Sequence, residues 1–146
     1  MSPKTEEFIL RALTYFPGQW DIRSEDGSVT GFVRWTIEAG GKALAGSGIL
    51  RNDKIFALAG WDPGKREWVH TLVEENGSFG QIVVTQFKND TYTGTFYFVD
   101  SNGEGETHEW RNEIIDEDHF QVVEHLKGER VVLHFHRQSG AARPAS

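Results

Sequence analysis

Residues 119–137 read HFQVVEHLKGERVVLHFHR, which is two strand-like stretches joined at Lys127-Gly128. A glycine in the second position suits a two-residue hairpin turn, because such turns need positive φ angles. A turn of that length places Leu126 opposite Glu129, and the alternation of side chains then defines two faces of the hairpin. The more apolar face, which we predict to point into a core, carries Phe120, Val122, Glu124, Leu133 and Phe135.

The same succession of short strands and turns extends back through the chain to Gln19. Turn-forming pairs such as Asn76-Gly77 and Asn102-Gly103 recur roughly every 11 residues, with no helical stretch between them. This pattern predicts an all-β antiparallel meander of about ten strands, and closure into a single barrel would remove its two exposed edges. The predicted strands are Gln19–Ser24, Val29–Glu38, Ala43–Arg51, Ile55–Trp61, Glu67–Val73, Ser78–Phe87, Tyr92–Val99, Thr107–Ile115, His119–Leu126 and Arg130–Arg137.

One short helix is predicted ahead of the strands, over Pro3–Thr14. Proline suits the first turn of a helix, and Pro17-Gly18 ends the helical pattern. The barrel domain is predicted to span residues 1–137, and residues 138–146 are predicted to form a flexible tail. The helix carries an apolar stripe that we expect to plug one end of the barrel, formed by Phe8, Ile9, Ala12 and Leu13.

The composition excludes several classes of function. A chain of 146 residues suits one domain, and its formal charge of −7 argues against nucleic acid or an anionic membrane as a partner. The chain has no cysteine, which excludes thiol catalysis and disulfides, and no apolar run long enough to span a membrane. Its first residues lack the pattern of a signal peptide, which predicts a cytoplasmic location. Glycine, with 16 residues, and aromatic residues, with 18, are in excess.

Two further hairpins extend the set of inward side chains. We derive their pairing from the turns, taking Asp62–Lys65 as one turn and Asn89-Asp90 as the other. The predicted pairs are Ala59 with Trp68, Ala57 with His70, Val83 with Phe96 and Gln81 with Phe98. A small residue opposite a large one fills a tapering barrel. Trp35 and Phe79 are also predicted to point inward. If the turn at Asp116 has the longer of its two registers, three more residues point inward, namely Trp110, Asn112 and Ile114.

The predicted interior has the character of a ligand site. Eight strands already enclose one small ligand, and ten leave more room. Aromatic walls with a few polar groups suit a small apolar or amphipathic molecule, and no cofactor is predicted. The predicted ligand-binding residues are Trp35, Trp68, His70, Phe96, Phe98, Trp110, Glu124 and Phe135.

The stretch Phe16-Pro17-Gly18-Gln19-Trp20 resembles the Gly-x-Trp signature of lipocalin-like barrels. That resemblance implies that Trp20 lies at the closed end of the barrel beneath an arginine of the last strand, where Arg137 stands. Over residues 16–137 the order of motifs is similar to the domain of unknown function 1579 family, described as lipocalin-like. The resemblance implies a lipocalin-like, or calycin-like, barrel and transfers no catalytic residues. The other matching motifs are Gly60-Trp61-Asp62, Tyr92 with Gly94, Trp110–Ile115 and Asp116–Phe120.

Three histidines share the polar face of the closing hairpin. His134 and His136 lie two apart with His119 opposite, and three imidazoles with an open fourth position would resemble a catalytic zinc site. The alternative is a polar outer surface or a contact between the subunits of a homodimer, which histidine protonation would control. We favour the polar surface, and no metal site is predicted.

Glu124 and His70 leave two alternative functions open. A buried Glu124 would either pair with an arginine, such as Arg34 or Arg111, or titrate at a higher pH. Either residue would serve as the general base of a barrel enzyme, and His70 would also suit heme iron, as in a heme or metal carrier. The simpler interpretations are a glutamate near the barrel rim and a core histidine bonded to a neighbour.

Overall fold

The computed structural model describes residues 3–126 and 128–138. In that part of the chain a helix, α1, spans Pro3–Tyr15, and ten strands and a short 3-10 turn at Ala39–Gly41 follow it. Except for Gln138, the predicted tail lies outside the described residues. The strands are β1 (Gly18–Ser24), β2 (Thr30–Glu38), β3 (Ala43–Leu50), β4 (Asp53–Asp62), β5 (Glu67–Glu74), β6 (Phe79–Lys88), β7 (Thr91–Val99), β8 (Gly105–Asp116), β9 (His119–Leu126) and β10 (Glu129–Arg137).

The strands form one closed antiparallel barrel in which each strand pairs with its neighbours along the chain. The barrel closes where β1 pairs with β10, so that none of the described strands is left as an exposed edge. The closing hairpin has the predicted register, with Phe120 opposite Phe135 and Val122 opposite Leu133. The predicted fold class, a ten-stranded antiparallel barrel with a short N-terminal helix, is confirmed.

The predicted register of β4 and β5 is wrong by two residues. Asp62 faces Glu67, so the turn consists of Pro63–Arg66. Arg66 has a positive φ of 59°, and its N–H donates to the carbonyl oxygen of Asp62 at 2.8 Å. A shift of two residues keeps every side chain on its predicted face, because side chains alternate with a period of two. The observed pairs are Ala57 with Leu72, Ala59 with His70 and Trp61 with Trp68.

The predicted pairs between β6 and β7 are wrong by one residue. A β-bulge between Val84 and Gln86 displaces every pair beyond it. A one-residue shift exchanges the two faces of a strand, so Phe79 and Gln81 lie on the outer face and not inside as predicted. The observed pairs beyond the bulge are Val83 with Thr95, Ile82 with Phe96, Gln81 with Tyr97 and Gly80 with Phe98.

Core packing explains why the bulge is favourable. Phe87 and Val84 are three residues apart, yet both pack into the core, which a regular strand would not allow. On β7, a Cβ added at Gly94 would collide with the carbonyl oxygen of Val83. Glycine is therefore required where the two strands approach each other beside the bulge.

The pairing of β8 and β9 has the longer of the two predicted registers. Asn112 faces Val122 and Ile114 faces Phe120, and a second irregularity between Ile114 and Asp116 follows. Trp110, Asn112 and Ile114 are consequently buried, as that register predicts.

Helix α1 covers one end of the barrel, here called the closed end. Its stripe forms the predicted plug, with Phe8 and Ala12 buried in the core. The Phe8 ring lies 5.1 Å from the Tyr92 ring and 5.6 Å from the Trp61 ring, measured between centroids. The plug is thus held by aromatic contacts with strands on two sides of the barrel.

Trp20 and Arg137 complete the closed end in the arrangement that the resemblance implies. The Trp20 side chain is fully buried, and the Arg137 guanidinium lies 4.2 Å from the centre of its ring. Arg137 also donates to the carbonyl oxygen of Pro17 at 3.0 Å. Gly18 has a φ of 129°, and a Cβ there would lie 2.8 Å from Nη1 of Arg137. The glycine of Gly-x-Trp therefore makes room for the arginine.

The opposite end, here called the open end, is formed by the turns that follow β1, β3, β5, β7 and β9. No helix covers it in the described part of the chain. Within the same residues, the structure has no helix of the length and apolarity needed to cross a membrane.

Candidate functional site

A cavity of about 170 Å³ lies inside the barrel, with α1 at one end and the open end at the other. A cavity of about 150 Å³ is known to hold benzene, so this one has room for a single six-membered ring with a short substituent. Its walls are mainly apolar, and nine aromatic side chains line it: Phe16, Trp35, Trp68, Tyr92, Phe96, Phe98, Trp110, Phe120 and Phe135.

All eight predicted ligand-binding residues line this one cavity. They come from six strands and meet because each occupies an inward position of its strand. Whether they contact a ligand stays a prediction. They are Trp35 on β2, Trp68 and His70 on β5, Phe96 and Phe98 on β7, Trp110 on β8, Glu124 on β9 and Phe135 on β10.

Two charged residues of the cavity were missed from the sequence, namely Arg51 and Glu74. Glu74 continues the alternation that runs along β5 through His70 and Leu72, so one further step of the pattern would have found it. Arg51 follows β3 at a positive φ of 54°, where alternation no longer holds and no periodic signal marks the residue.

Glu124 is the buried carboxyl group of the cavity, with only 7% of its surface exposed. The partners predicted for it are wrong. Arg34 is exposed on the outer face, and Arg111 forms an ion pair with Glu113. Among the described residues, no hydrogen bond or ion pair is made to the Glu124 carboxyl group. Its oxygens are therefore available to a molecule in the cavity.

The surroundings of Glu124 disfavour its charged form. Burial raises the pKa of Glu124 to about 7, against a smaller lowering by Arg51, and the negative charge of Glu74 raises it further. Burial also raises the pKa of Glu74. At neutral pH Glu124 is therefore close to half ionised, which lets it accept or donate a hydrogen bond.

His70 lies inside the barrel, as predicted. Its ring meets the Trp35 ring edge to face, with 5.1 Å between centroids and an interplanar angle of 88°. Burial lowers the pKa of His70 to about 4, so the imidazole is neutral at pH 7. No described residue forms a hydrogen bond with this ring, contrary to the simpler interpretation of a bonded core histidine.

Two of the residues that line the cavity carry a buried polar atom without a partner. Nε1 of Trp110 and Oδ1 of Asn112 are buried, and no described residue forms a hydrogen bond with either. An unsatisfied buried donor or acceptor costs about 1–3 kcal/mol. Neither atom is exposed to the cavity space. The polar groups that line the cavity and have no bonded partner among the described residues are therefore the Glu124 carboxyl group and the His70 imidazole.

The three histidines of the closing hairpin lie together on the outer face. Nε2 of His119 lies 3.0 Å from Nδ1 of His134, and the His119 and His136 rings stack at 4.2 Å between centroids. Burial and the charges of its two neighbours lower the pKa of His119. No three side chains of the ligating types are arranged to hold a metal ion in residues 3–126 and 128–138. Dimerisation through this face stays a prediction.

Comparison with known proteins identifies the architecture. No family model matches the chain, and no curated protein matches it significantly. The crystal structure of Rv2717c from M. tuberculosis is similar over 94% of this chain and 99% of that chain, with 14% identity and a TM-score of 0.57. A de novo designed fluorescence-activating β-barrel matches 87% of this chain and 97% of its own, with 18% identity and a TM-score of 0.42. The likeness to Rv2717c shows a shared barrel fold alone.

Proposed function

We propose that this barrel binds one small, mainly apolar molecule with a polar group in its interior cavity. The observation that carries the proposal is the combination of ring-sized apolar space with two polar side chains in its lining, Glu124 and His70, to which no described residue is hydrogen-bonded. An apolar cavity by itself would be a packing defect, since voids of this size cost stability. Unpaired donors and acceptors in its wall support a role in recognition.

The size of the cavity supports a small ligand over heme. Heme is a macrocycle of four pyrrole rings, whereas about 170 Å³ holds one ring and a short substituent. His70 has the chemistry of an axial ligand, but the space beside it is too small for the macrocycle without a rearrangement of the aromatic walls.

We also infer that the chain belongs to the lipocalin-like domain of unknown function 1579 family. The placement of Arg137 over Trp20, with Gly18 making room for it, supports that assignment.

A cavity-filling variant tests the proposed function. Ala57 lines the cavity and is 4% exposed, so Ala57→Leu would place three added carbons in the empty space. Ala45 lies on the outer face of β3, so Ala45→Leu adds the same carbons outside the cavity. The probe is 2-phenylethanol, which has one ring and one hydroxyl group, and its affinity is measured by isothermal titration calorimetry.

We expect 2-phenylethanol to bind the unmodified chain and Ala45→Leu alike, and to bind Ala57→Leu at least about tenfold more weakly. Equal affinity for both variants would mean that the probe binds elsewhere. The proposed function would be overturned if the unmodified chain gave no heat of binding with 2-phenylethanol and none with the corresponding amine.

Glu124 favours one second candidate, a general base in an apolar cavity. Its pKa of about 7 is the value at which acid–base catalysis is most effective near neutral pH. Acetophenone would fit the cavity, and Glu124 would remove a methyl proton and return a deuteron from D₂O. The measurement is the exchange rate of that methyl group by NMR. Exchange as fast with Glu124→Gln as with the unmodified chain would exclude this candidate.

A further inference from the structure

A depression at the open end, here called the funnel, carries a strong excess of negative charge. Among the described residues it is lined by six carboxylates, namely Glu25, Asp26, Glu74, Asp100, Glu106 and Glu129, and by two cations, Arg51 and Arg130. Hydrogen bonds from Ser28 and Ser24 hold the pKa of Asp26 down to about 2, so this carboxylate is charged at every physiological pH. A lining with an excess of one sign of charge attracts a ligand of the opposite charge.

The funnel adjoins the cavity. Arg51, Glu74 and Phe98 line both spaces, so they form the boundary between them. At this boundary the charges of Arg51 and Glu74 offset each other. Glu124 lies inside it, more than nine-tenths buried and without a bonded partner among the described residues. The ionised Glu124 is therefore the uncompensated charge of the cavity.

The aromatic walls suit a cationic ligand as well as an apolar one. The faces of tryptophan, tyrosine and phenylalanine rings carry negative potential and attract a cation that has left water. Trp35, Trp68 and Trp110 all line the cavity, and Trp110 lies on β8 next to the position of Glu124 on β9. An amine bonded to Glu124 would therefore also meet the indole surface of Trp110.

We propose that the ligand of this cavity is a primary amine with a single ring as its apolar body, whose ammonium group binds the Glu124 carboxylate beneath the acidic funnel. The inference rests on the proposed function, because it specifies the ligand class of the same cavity. The funnel would raise the rate of encounter, and the buried carboxylate would hold the ammonium group.

An anionic ligand has less support from the charges. Among the described residues that line the cavity, Arg51 is the one permanent cation, and Glu74 and Glu124 oppose it. A carboxylate ligand would also have to pass the funnel, where carboxylates outnumber arginines among the described lining residues. A compound with the same ring and a carboxylate group is therefore the appropriate negative control.

The binding of an amine should depend on pH in a defined direction. An alkylamine stays protonated below about pH 9, whereas Glu124 ionises near neutrality, so amine affinity should increase from about pH 5.5 to about pH 8. The titratable and charged groups that line the cavity with Glu124 are Arg51, Glu74, His70 and Tyr92, and of these Arg51 and Glu74 act on its pKa. Burial raises the pKa of Tyr92 above its ordinary value, so the phenol stays neutral. His70 stays neutral over this range, since its pKa is about 4. The change in amine affinity with pH is therefore caused by the ionisation of the carboxyl groups, Glu124 and Glu74.

The test compares three probes with one ring each: 2-phenylethylamine, 2-phenylethanol and 3-phenylpropanoate. Calorimetry at about pH 8 should give the order amine, alcohol, carboxylate, with at least about a tenfold preference for the amine over the alcohol. Glu124→Gln should abolish that preference, because glutamine keeps the size of glutamate and carries no charge for the ammonium group. The control Glu129→Gln removes a funnel carboxylate that does not line the cavity, and it should keep most of the preference.

The possible outcomes separate the two proposals. If the alcohol binds and the amine binds no tighter, the amine inference fails and the proposed function stands. A preference that survives Glu124→Gln, or tightest binding of the carboxylate, also overturns the inference alone. If neither the amine nor the alcohol binds the unmodified chain, both proposals fail. Circular dichroism confirms in each case that the variant is folded.

Discussion

The two ends of this barrel satisfy their polar groups very differently. At the closed end, Trp20 Nε1 donates to the Phe16 carbonyl oxygen at 2.9 Å, and the Tyr15 hydroxyl donates to the Asp116 carbonyl oxygen at 2.6 Å. Toward the open end, the carboxyl group of Glu124 is buried without a bonded partner among the described residues. The polar atoms of Trp20 and Tyr15 at the closed end are thus hydrogen-bonded, whereas the cavity beneath the open end retains a carboxyl group without a hydrogen-bond partner.

This difference indicates a division between stability and recognition. A protein that must bind a ligand keeps polar groups that are unsatisfied in the free state, at a cost in stability that other regions must offset. The aromatic plug of α1 and the Trp20–Arg137 contact are the regions that offset it here. Substitutions at the closed end should consequently destabilise the fold, whereas substitutions of the cavity carboxyl should stabilise it.

The largest effect is expected from Trp20→Ala at the closed end. Trp20 is fully buried and contacts Phe120 at 4.7 Å between ring centroids, so its loss would leave a large void. We expect the free energy of unfolding to fall by about 3–5 kcal/mol, measured by denaturant titration. Phe56→Ala is the control, because 57% of Phe56 is exposed, and it should change stability far less. Similar effects of the two substitutions would contradict the proposed role of the closed end.

Glu124→Gln should raise the free energy of unfolding at alkaline pH, which is the opposite of the effect expected from Trp20→Ala. The folded-state pKa of Glu124, about 7, lies above its ordinary value of 4.5, so the folded state holds the proton more tightly. The contribution of Glu124 to the free energy of unfolding therefore falls by roughly 3 kcal/mol as pH rises from about 4.5 through about 7. Above pH 7 the variant should be the more stable protein by that amount, and near pH 4 the two should coincide. An equal difference at both pH values would show that ionisation is not the cause.

His70→Gln should remove a pH dependence of stability that is opposite in direction to that of Glu124. The pKa of His70 falls from 6.5 to about 4 on folding, so the stability present above pH 6.5 is lost as pH falls through about 4. The contribution of His70 to this loss is roughly 3 kcal/mol, and it should be absent from the variant. Denaturant titrations between about pH 4 and pH 8 measure it.

The pH effects of His70 and Glu124 nearly cancel between about pH 4.5 and pH 6.5, because one adds stability as pH rises and the other removes it. The unmodified chain should therefore show a flat profile, and each single variant should expose the slope of the remaining group. A flat profile in both variants would mean that neither group is held in the environment that the cavity provides.

Much of the barrel and its site was predictable from alternation and turn chemistry. The two-residue turn before Glu129 set the register of the closing hairpin, and that register placed Glu124 inside. A register error of two residues, as between β4 and β5, left the faces unchanged and so did not affect the site.

Irregular backbone was the part that the sequence did not reveal. The bulge at residues 84–86 reversed the expected face of β6, since aromatic and aliphatic residues occur on both of its faces. Arg51 could not be predicted to line the cavity, because its position there depends on a positive φ in a turn, where side chains do not alternate. The funnel could not be predicted either, because its carboxylates come from separate turns and strand ends that only barrel closure brings together.

The smallest effect is expected from Arg11→Gln, which tests whether exposed ion pairs contribute to the closed end. Arg11 lies 3.4 Å from Asp90 and 3.7 Å from Glu117, and both carboxylates are more than half exposed. Exposed pairs of this kind contribute about 0–1 kcal/mol, and added salt screens them. We therefore expect a loss below about 1 kcal/mol that diminishes in high salt, measured by denaturant titration. Arg137→Gln is the matched comparison, because its guanidinium is largely buried and donates to carbonyl oxygens of Tyr15 and Pro17. If Arg11→Gln costs as much as Arg137→Gln, the closed end is held by surface charge and not by its buried aromatic contacts.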